Sequence, residues 1–229
     1  MDKIQVIEKL FYYINAYFYL VLPLTYLIFK AKKGDSLILA LYGIFCFIFL
    51  NVYYFLPDNL IDPYFFSYTF IEYSFFTWLI FSNIKSQIIK KVIILASILF
   101  LLFQVFSYYR FRGLRLDTVS IGIETILLFI YVIILFYEYF KSSKTTYIYN
   151  NHFFWIALGV LLYLGGTFFF NILANHISRE QIIQYLKLTY VLEMIKTTLF
   201  AVAIGIFSHH YKDKYLQKTH VPYLDLDMN

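Results

Sequence analysis

Charge is scarce in this chain: Asp, Glu, Lys and Arg make up 14% of its 229 residues, against roughly 25% in an average soluble domain. Apolar residues reach 61% and aromatic residues 23%, where such domains hold roughly 45–50% apolar residues. That balance excludes an ordinary water-soluble globule. Cysteine is nearly absent as well. The single Cys46 lies inside an apolar run, so no intrachain disulfide can form and cysteine usage says nothing about redox compartment. No polar stretch is long enough to house a soluble domain, and no Ser-His, Cys-His or metal-ligand spacing stands out. His209, His210 and His220 lie near the C-terminus without a partner at ligand spacing and read as a solvated tail. No metal and no cofactor are expected. The net charge of +5 is ordinary for a membrane protein with basic cytoplasmic loops and gives no reason to expect a nucleic acid partner.

What the chain does have is apolar length. A helical span needs about 20 apolar residues, at about 1.5 Å rise each, to cross roughly 30 Å of hydrocarbon. Seven stretches meet that length: Leu10 to Phe29, Ser36 to Leu56, Pro63 to Ser82, Val92 to Tyr109, Thr118 to Phe140, His152 to Ala174 and Tyr185 to Ser208. Short polar segments join them, such as Lys32, Lys33, Gly34, Asp35 and Pro57, Asp58, Asn59. Backbone groups in lipid must pair within the segment, and barrel strands would alternate polar with apolar residues. The predicted fold class is therefore all-α, a polytopic membrane bundle of seven transmembrane helices over 1–208, with a short polar cytoplasmic tail over 209–229. The first run exceeds the 7–15 or so residues of a signal-peptide core, and no small-residue cleavage site follows it, so it is expected to stay as a span.

Basic residues near span ends are retained in the cytoplasm. Eleven Lys fall on the side of the 30–35, 83–91 and 141–144 loops and the C-terminus, against seven Lys and Arg on the other. The expected orientation is N-terminus outside and C-terminus in the cytoplasm. Arg110, Arg112 and Arg115 oppose that bias.

The charges well inside the spans are Glu72, Glu124, Glu193 and Lys196. Counted from the outer ends at about 1.5 Å per residue, they lie roughly 9 to 16 Å deep. Asn51, Thr167 and Asn171 fall toward the same side, whereas the inner half is almost wholly apolar and Glu138 ends the fifth span within reach of water. A charge at mid-span costs about 2.5–3.5 kcal/mol on insertion scales, so such groups face the bundle interior and find partners. For Lys196 the nearest candidate in sequence is Glu193, one helical turn earlier, with Thr197 and Thr198 adding hydroxyls. Two alternatives stay open. The cluster is either a structural ion pair fastening helices together, or an outward-facing polar cavity for a small ligand or proton. Three carboxylates against one ammonium require at least one to be protonated, wet or paired with a ligand. Gly159, Tyr163 and Gly166 share one face of the sixth span beside Gly165, and small residues at that spacing let helices approach closely. Tyr163 and Thr167 are the members expected to reach the cavity.

The halves compare weakly with each other. Leu41-Tyr42-Gly43-Ile44 parallels Ala157-Leu158-Gly159-Val160, and Phe70-Ile71-Glu72 parallels Val191-Leu192-Glu193. This pattern is compatible with two parallel three-helix repeats joined by the fourth helix. The segments 68–81 (YTFIEYSFFTWLIF), 123–129 (IETILLF), 154–168 (FWIALGVLLYLGGTF) and 192–204 (LEMIKTTLFAVAI) resemble those of uncharacterised bacterial seven-helix membrane proteins. That resemblance implies a bacterial inner-membrane location and no established activity. It puts Glu72, Glu124, Tyr163 and Lys196 on family-like positions and Glu193 where a neutral Asn is expected. A lysine in the last of seven spans also invites comparison with microbial rhodopsins. The third span, however, lacks an Arg beside a carboxylate, and the sixth lacks the combined Trp and Pro framework that encloses a retinal. Transporters of the PQ-loop type share the three-one-three plan, but neither half has their Pro-Gln pair.

The leading expectation is a receptor-like or signal-transducing membrane module whose site comprises Glu72, Glu124, Lys196, Glu193, Tyr163, Thr167 and Asn51. Its partners would be the lipid bilayer, a small ligand or proton, and a cytoplasmic or membrane signalling protein. The alternative is a small proton-coupled solute transporter. An intramembrane lipid-modifying enzyme comes third.

Overall fold

The computed structural model describes residues 3–30, 34–110, 118–142, 148–173 and 179–219. Its main elements are α1 (Lys3–Phe18), α2 (Val21–Ile28), α3 (Asp35–Val52), α4 (Ile61–Asn83), α5 (Gln87–Arg110), α6 (Thr118–Ser142), α7 (His152–Leu173) and α8 (Arg179–Thr219). Among the described residues there is no strand. Five helical windows are long and apolar enough to cross a membrane: Lys9–Ile28, Asp35–Val52, Gln87–Arg110, Val119–Lys141 and Tyr185–His209. This is the make-up of an integral membrane protein. Within α7 the apolar stretch is shorter, His152–Phe168. The 23 residues of α4 have the length of a span. Their hydropathy is diluted by Asp62, Ser67, Thr69, Glu72, Ser74, Thr77 and Ser82.

The first expected span is broken in two. Pro23 has no N–H to offer the carbonyl of Tyr19, and its ring crowds that carbonyl, so the helix cannot run straight through. Tyr19 O instead accepts from Leu22 N at 3.2 Å, a tighter turn between α1 and α2. Gly43 on α3 makes room for this corner: a Cβ there would lie 2.7 Å from Tyr19 O and 2.9 Å from Leu22 Cβ.

Around the bundle, α1 and α2 pack on α3 and α8, α8 on α7, α7 on α6, α6 on α4, and α4 on α3. The core they enclose includes Tyr42, Phe76, Leu128, Val160 and Phe200. Outside it, α5 leans on α4 and α6. The two halves are not packed alike: Gly43 faces the first span, whereas its sequence counterpart Gly159 faces Phe200 of the last.

Polar bonds tie the helix ends. At one end Tyr12 OH donates to Leu50 O and Tyr64 OH to Phe49 O, while Gln104 Nε2 donates to Phe66 O at 3.3 Å. At the other, Asp35 Oδ2 lies 3.4 Å from His152 Nε2 and accepts from Asn83 Nδ2 at 3.4 Å, joining α3, α4 and α7. Glu138, expected within reach of water, is half-buried and accepts from the backbone N–H of Lys85 at 2.7 Å and of Ser86 at 3.0 Å. From α6 it thus satisfies two donors of the backbone leading into α5, whose first turn is capped by Ser86 Oγ accepting from Ile89 N at 3.4 Å. Glu138→Ala should cost about 1–3 kcal/mol, the usual range for leaving hydrogen-bonded groups without their partner, and accelerate amide exchange at Lys85 and Ser86. Unchanged exchange there would remove this role.

The expected tail begins as helix. α8 continues through Thr219 and carries His209 and His210 along its length, while His220 lies outside the described residues.

Candidate functional site

Lys196, in the middle of α8, is fully buried at 0% exposure. Four aromatic rings, three from helices and one from the α1–α2 break, surround its ammonium. The ring centroid of Tyr163 on α7 is 3.4 Å from Nζ, that of Tyr42 on α3 5.3 Å, that of Phe76 on α4 5.5 Å, and that of Tyr19 beside the α1–α2 break 5.8 Å. Aromatic faces carry negative charge density, and a cation over them gains on the order of 2 kcal/mol when desolvated.

The counter-charge is Glu72 of α4, 5% exposed. Lys196 Nζ donates to Glu72 Oε1 at 3.3 Å and to Tyr42 OH at 2.8 Å. The Tyr42 hydroxyl passes the bond on, donating to the same Oε1 at 2.8 Å. Tyr68 OH, one turn before Glu72, donates to Oε1 at 3.1 Å, and Tyr163 OH donates to Oε2 at 3.4 Å. One carboxylate therefore collects an ammonium and three phenols. A buried ion pair offsets its desolvation only when its remaining lone pairs and protons are satisfied, and these phenols satisfy them. The network joins α3, α4, α7 and α8 through side chains far apart in the chain.

Glu193 does not take the role its spacing gave it. Asn15 Nδ2 of α1 donates to Glu193 Oε2, and Tyr19 adds a second hydrogen bond. The ammonium is instead paired with Glu72, across helices. On α8 the two residues sit one turn apart, but the packing of α1 on α8 puts Asn15 within reach of Glu193, and the ammonium turns to Glu72. Glu124 of α6 is 3% exposed, stands within electrostatic range of Glu72 and Lys196, and has an Oε1 that accepts no hydrogen bond. Thr167 is buried and donates to Tyr163 O of its own helix at 2.8 Å. Asn51 is not brought to the cluster: its Nδ2 donates to Phe47 O one turn back, at 2.8 Å. Gly159 and Gly166 face α8, where a Cβ would lie 2.9 Å from the Phe200 ring and 2.5 Å from Leu192 Cδ1. Gly165 faces Phe129 of α6 at 3.2 Å. An open cavity was expected at these residues; Lys196, Glu72 and Glu124 are buried, the ammonium among aromatic rings, and Glu193 is half-buried.

Five members of the site were not singled out by sequence: Asn15, Tyr19, Tyr42, Tyr68 and Phe76. Tyr68 and Phe76 were findable, since they flank Glu72 at i−4 and i+4 on one helical face. Nothing local marks Tyr42 among 24 tyrosines. No protein-family model, curated protein or solved structure matches this chain.

Proposed function

We propose that this chain is a seven-span membrane protein of the receptor-like, signal-transducing kind, in which a small ligand or proton reaching the Lys196–Glu72 cluster alters how α8 packs. The observation that carries this reading is the sealed ion pair itself. A lysine paired to one carboxylate holds α8 against α3, α4 and α7, and any species that competes for either charge loosens that hold. Glu124, with an oxygen that no described group satisfies, offers such a species a second acidic contact. α8 itself provides the output. Its 41 residues form one helix, about 60 Å long at about 1.5 Å per residue, twice the roughly 30 Å of a hydrocarbon core. In this reading movement at Lys196 passes along α8 to 210–219, the segment a partner would meet.

A proton-coupled transporter is the second reading, favoured by the break at Tyr19 and Leu20 beside the ion pair, because broken spans recur at transporter sites. Against it, the small void toward the lysine-rich end is lined by Phe76, Leu79, Val132, Leu135, Phe153 and Ile156, without a polar group among them.

A test that needs no knowledge of the ligand is to open the pair by mutation. In lipid nanodiscs, labels at Ile88 and His209 report the separation of the lysine-rich ends of α5 and α8. The folded double variant Lys196→Met/Glu72→Leu is expected to shift that distance distribution while proteoliposomes stay proton-tight. An unchanged distribution would defeat the switch. Proton flux in the native protein that disappears in Glu72→Gln would establish the transporter instead.

A further inference from the structure

Two buried side chains on neighbouring helices each carry an oxygen that no donor meets. Glu124 of α6 is 3% exposed and Gln104 of α5 is 1% exposed, and Oε1 of each accepts no hydrogen bond. A junction deeper in the bundle fixes their relative level. Tyr73 OH of α4 lies 2.8 Å from Ser97 Oγ of α5 and 3.2 Å from Tyr131 OH of α6, which pins three helices at one point. Seven residues, or two turns of about 3.6 residues each, lead from Tyr73 to Phe66, from Ser97 to Gln104 and from Tyr131 to Glu124. All three steps run away from the lysine-rich end. Phe66, Gln104 and Glu124 therefore stand at one level, about 10 Å from the junction, on the helix faces that form it. The first leg closes directly, since Gln104 Nε2 donates to Phe66 O at 3.3 Å.

A buried acceptor without a donor costs about 1–3 kcal/mol, and more when it is charged. Turning the Gln104 amide over would free its nitrogen for another partner but set Oε1 against Phe66 O, acceptor against acceptor. No cation serves Glu124 either, because the ion pairs among the described residues are His152–Asp35 and Lys196–Glu72. The titratable groups within electrostatic range of Glu124 are Glu72 of α4, Tyr163 of α7 and Lys196 of α8. From α5, Gln104 does not titrate, and Tyr108 packs its ring on Phe66 one turn further out. Lys196 carries a single charge, and Glu72 already matches it. One added proton answers both unmet oxygens. A carboxylic acid donates as well as accepts, so it can give its O–H to Gln104 while the amide nitrogen keeps Phe66 O.

We propose that Glu124 is the proton-binding residue of this site, its carboxylic acid donating to Gln104 Oε1. The proton comes from water and returns to water, with no other reactant. Ser107 and Ser120, both buried, add hydroxyls one turn nearer the end of α5 and the start of α6. With the proton in place, the Lys196–Glu72 pair is balanced. Its departure leaves a second carboxylate within range of the one ammonium. The assignment rests on the proposed function in its proton form and names the group that carries the proton.

Infrared difference spectra of the full-length protein in nanodiscs at neutral pH are expected to show a carboxylic acid C=O band that is missing from Glu124→Gln. Gln104→Leu should keep that band and move it to higher frequency, because the acid loses its acceptor. On alkaline titration the native protein should lose the band and, with labels at Ile88 and His209, shift its distance distribution, whereas Glu124→Gln should do neither. The proton site is overturned if Glu124→Gln removes no acid band, or if Gln104→Leu leaves the band where it was. A band that titrates while the distances stay fixed would defeat the switch and leave the proton on Glu124.

Discussion

Lys196→Met, with Glu72 left in place, is expected to lower the stability of the bundle by about 3–5 kcal/mol, because it strands a carboxylate in a dry interior. The double variant Lys196→Met/Glu72→Leu is expected to recover most of that loss, since well-packed apolar residues of similar volume replace buried ion pairs at little cost. Thermal or denaturant unfolding in the same detergent measures both. The order of the two results is what matters. If the single variant were as stable as the native chain, the pair would not hold α8 to α4, and the proposed switch would lose its basis. If the double variant unfolds as readily as the single one, the cage of Tyr42, Tyr163, Phe76 and Tyr19 depends on the ammonium itself. A double variant that is stable but silent in the distance measurement would separate conformational control from folding.

The second large effect concerns Gly43. Gly43→Ala should destabilise the protein by about 1–3 kcal/mol, the usual range for overpacking, because the added carbon meets a backbone oxygen, Tyr19 O, at 2.7 Å. That oxygen belongs to the Pro23 corner and cannot retreat without moving α1, which carries Asn15 and Tyr19 to the site. Gly166→Ala presents a shorter contact, 2.5 Å, yet should cost less, because the atom it meets is the tip of the Leu192 side chain, which can rotate away. Gly122→Ala has nothing within 4 Å and should gain a few tenths to about 1 kcal/mol from helix propensity alone. Melting midpoints of the three variants rank them directly. Should Gly166→Ala prove the most damaging, the α7–α8 contact and not the broken first span would be the rigid part of the bundle.

Segment lengths and the presence of one intramembrane lysine were legible because both are local quantities: an apolar run either reaches bilayer length or does not, and a charge inside it is visible without coordinates. The break at Pro23 was legible in principle for the same reason, since the lost N–H and the ring clash act within one turn. The partner of Lys196 was not. At i,i+3 Glu193 is the nearer carboxylate in sequence, but the packing of α1 on α8 gives it Asn15 as a partner, and Glu72 reaches the ammonium only because α4 and α8 meet across α3 and α7. Asn51 lies nine residues past Tyr42 on α3, about 13.5 Å along the axis, so depth as well as facing keeps it from the cluster. Glu138 keeps the reach to water that its position gave it, but only the placement of α5 showed that it also binds the backbone leading into that helix.

Composition and apolar run length alone determined that this is an all-helical chain with membrane-length segments, because the cost of exposing unpaired backbone to lipid leaves helices as the means of spanning with such runs. Which charges meet, and that aromatic rings seal them, was decided only by tertiary structure. A buried ion pair is a property of how four helices are rotated about their axes, and that rotation is set by packing summed over all of them.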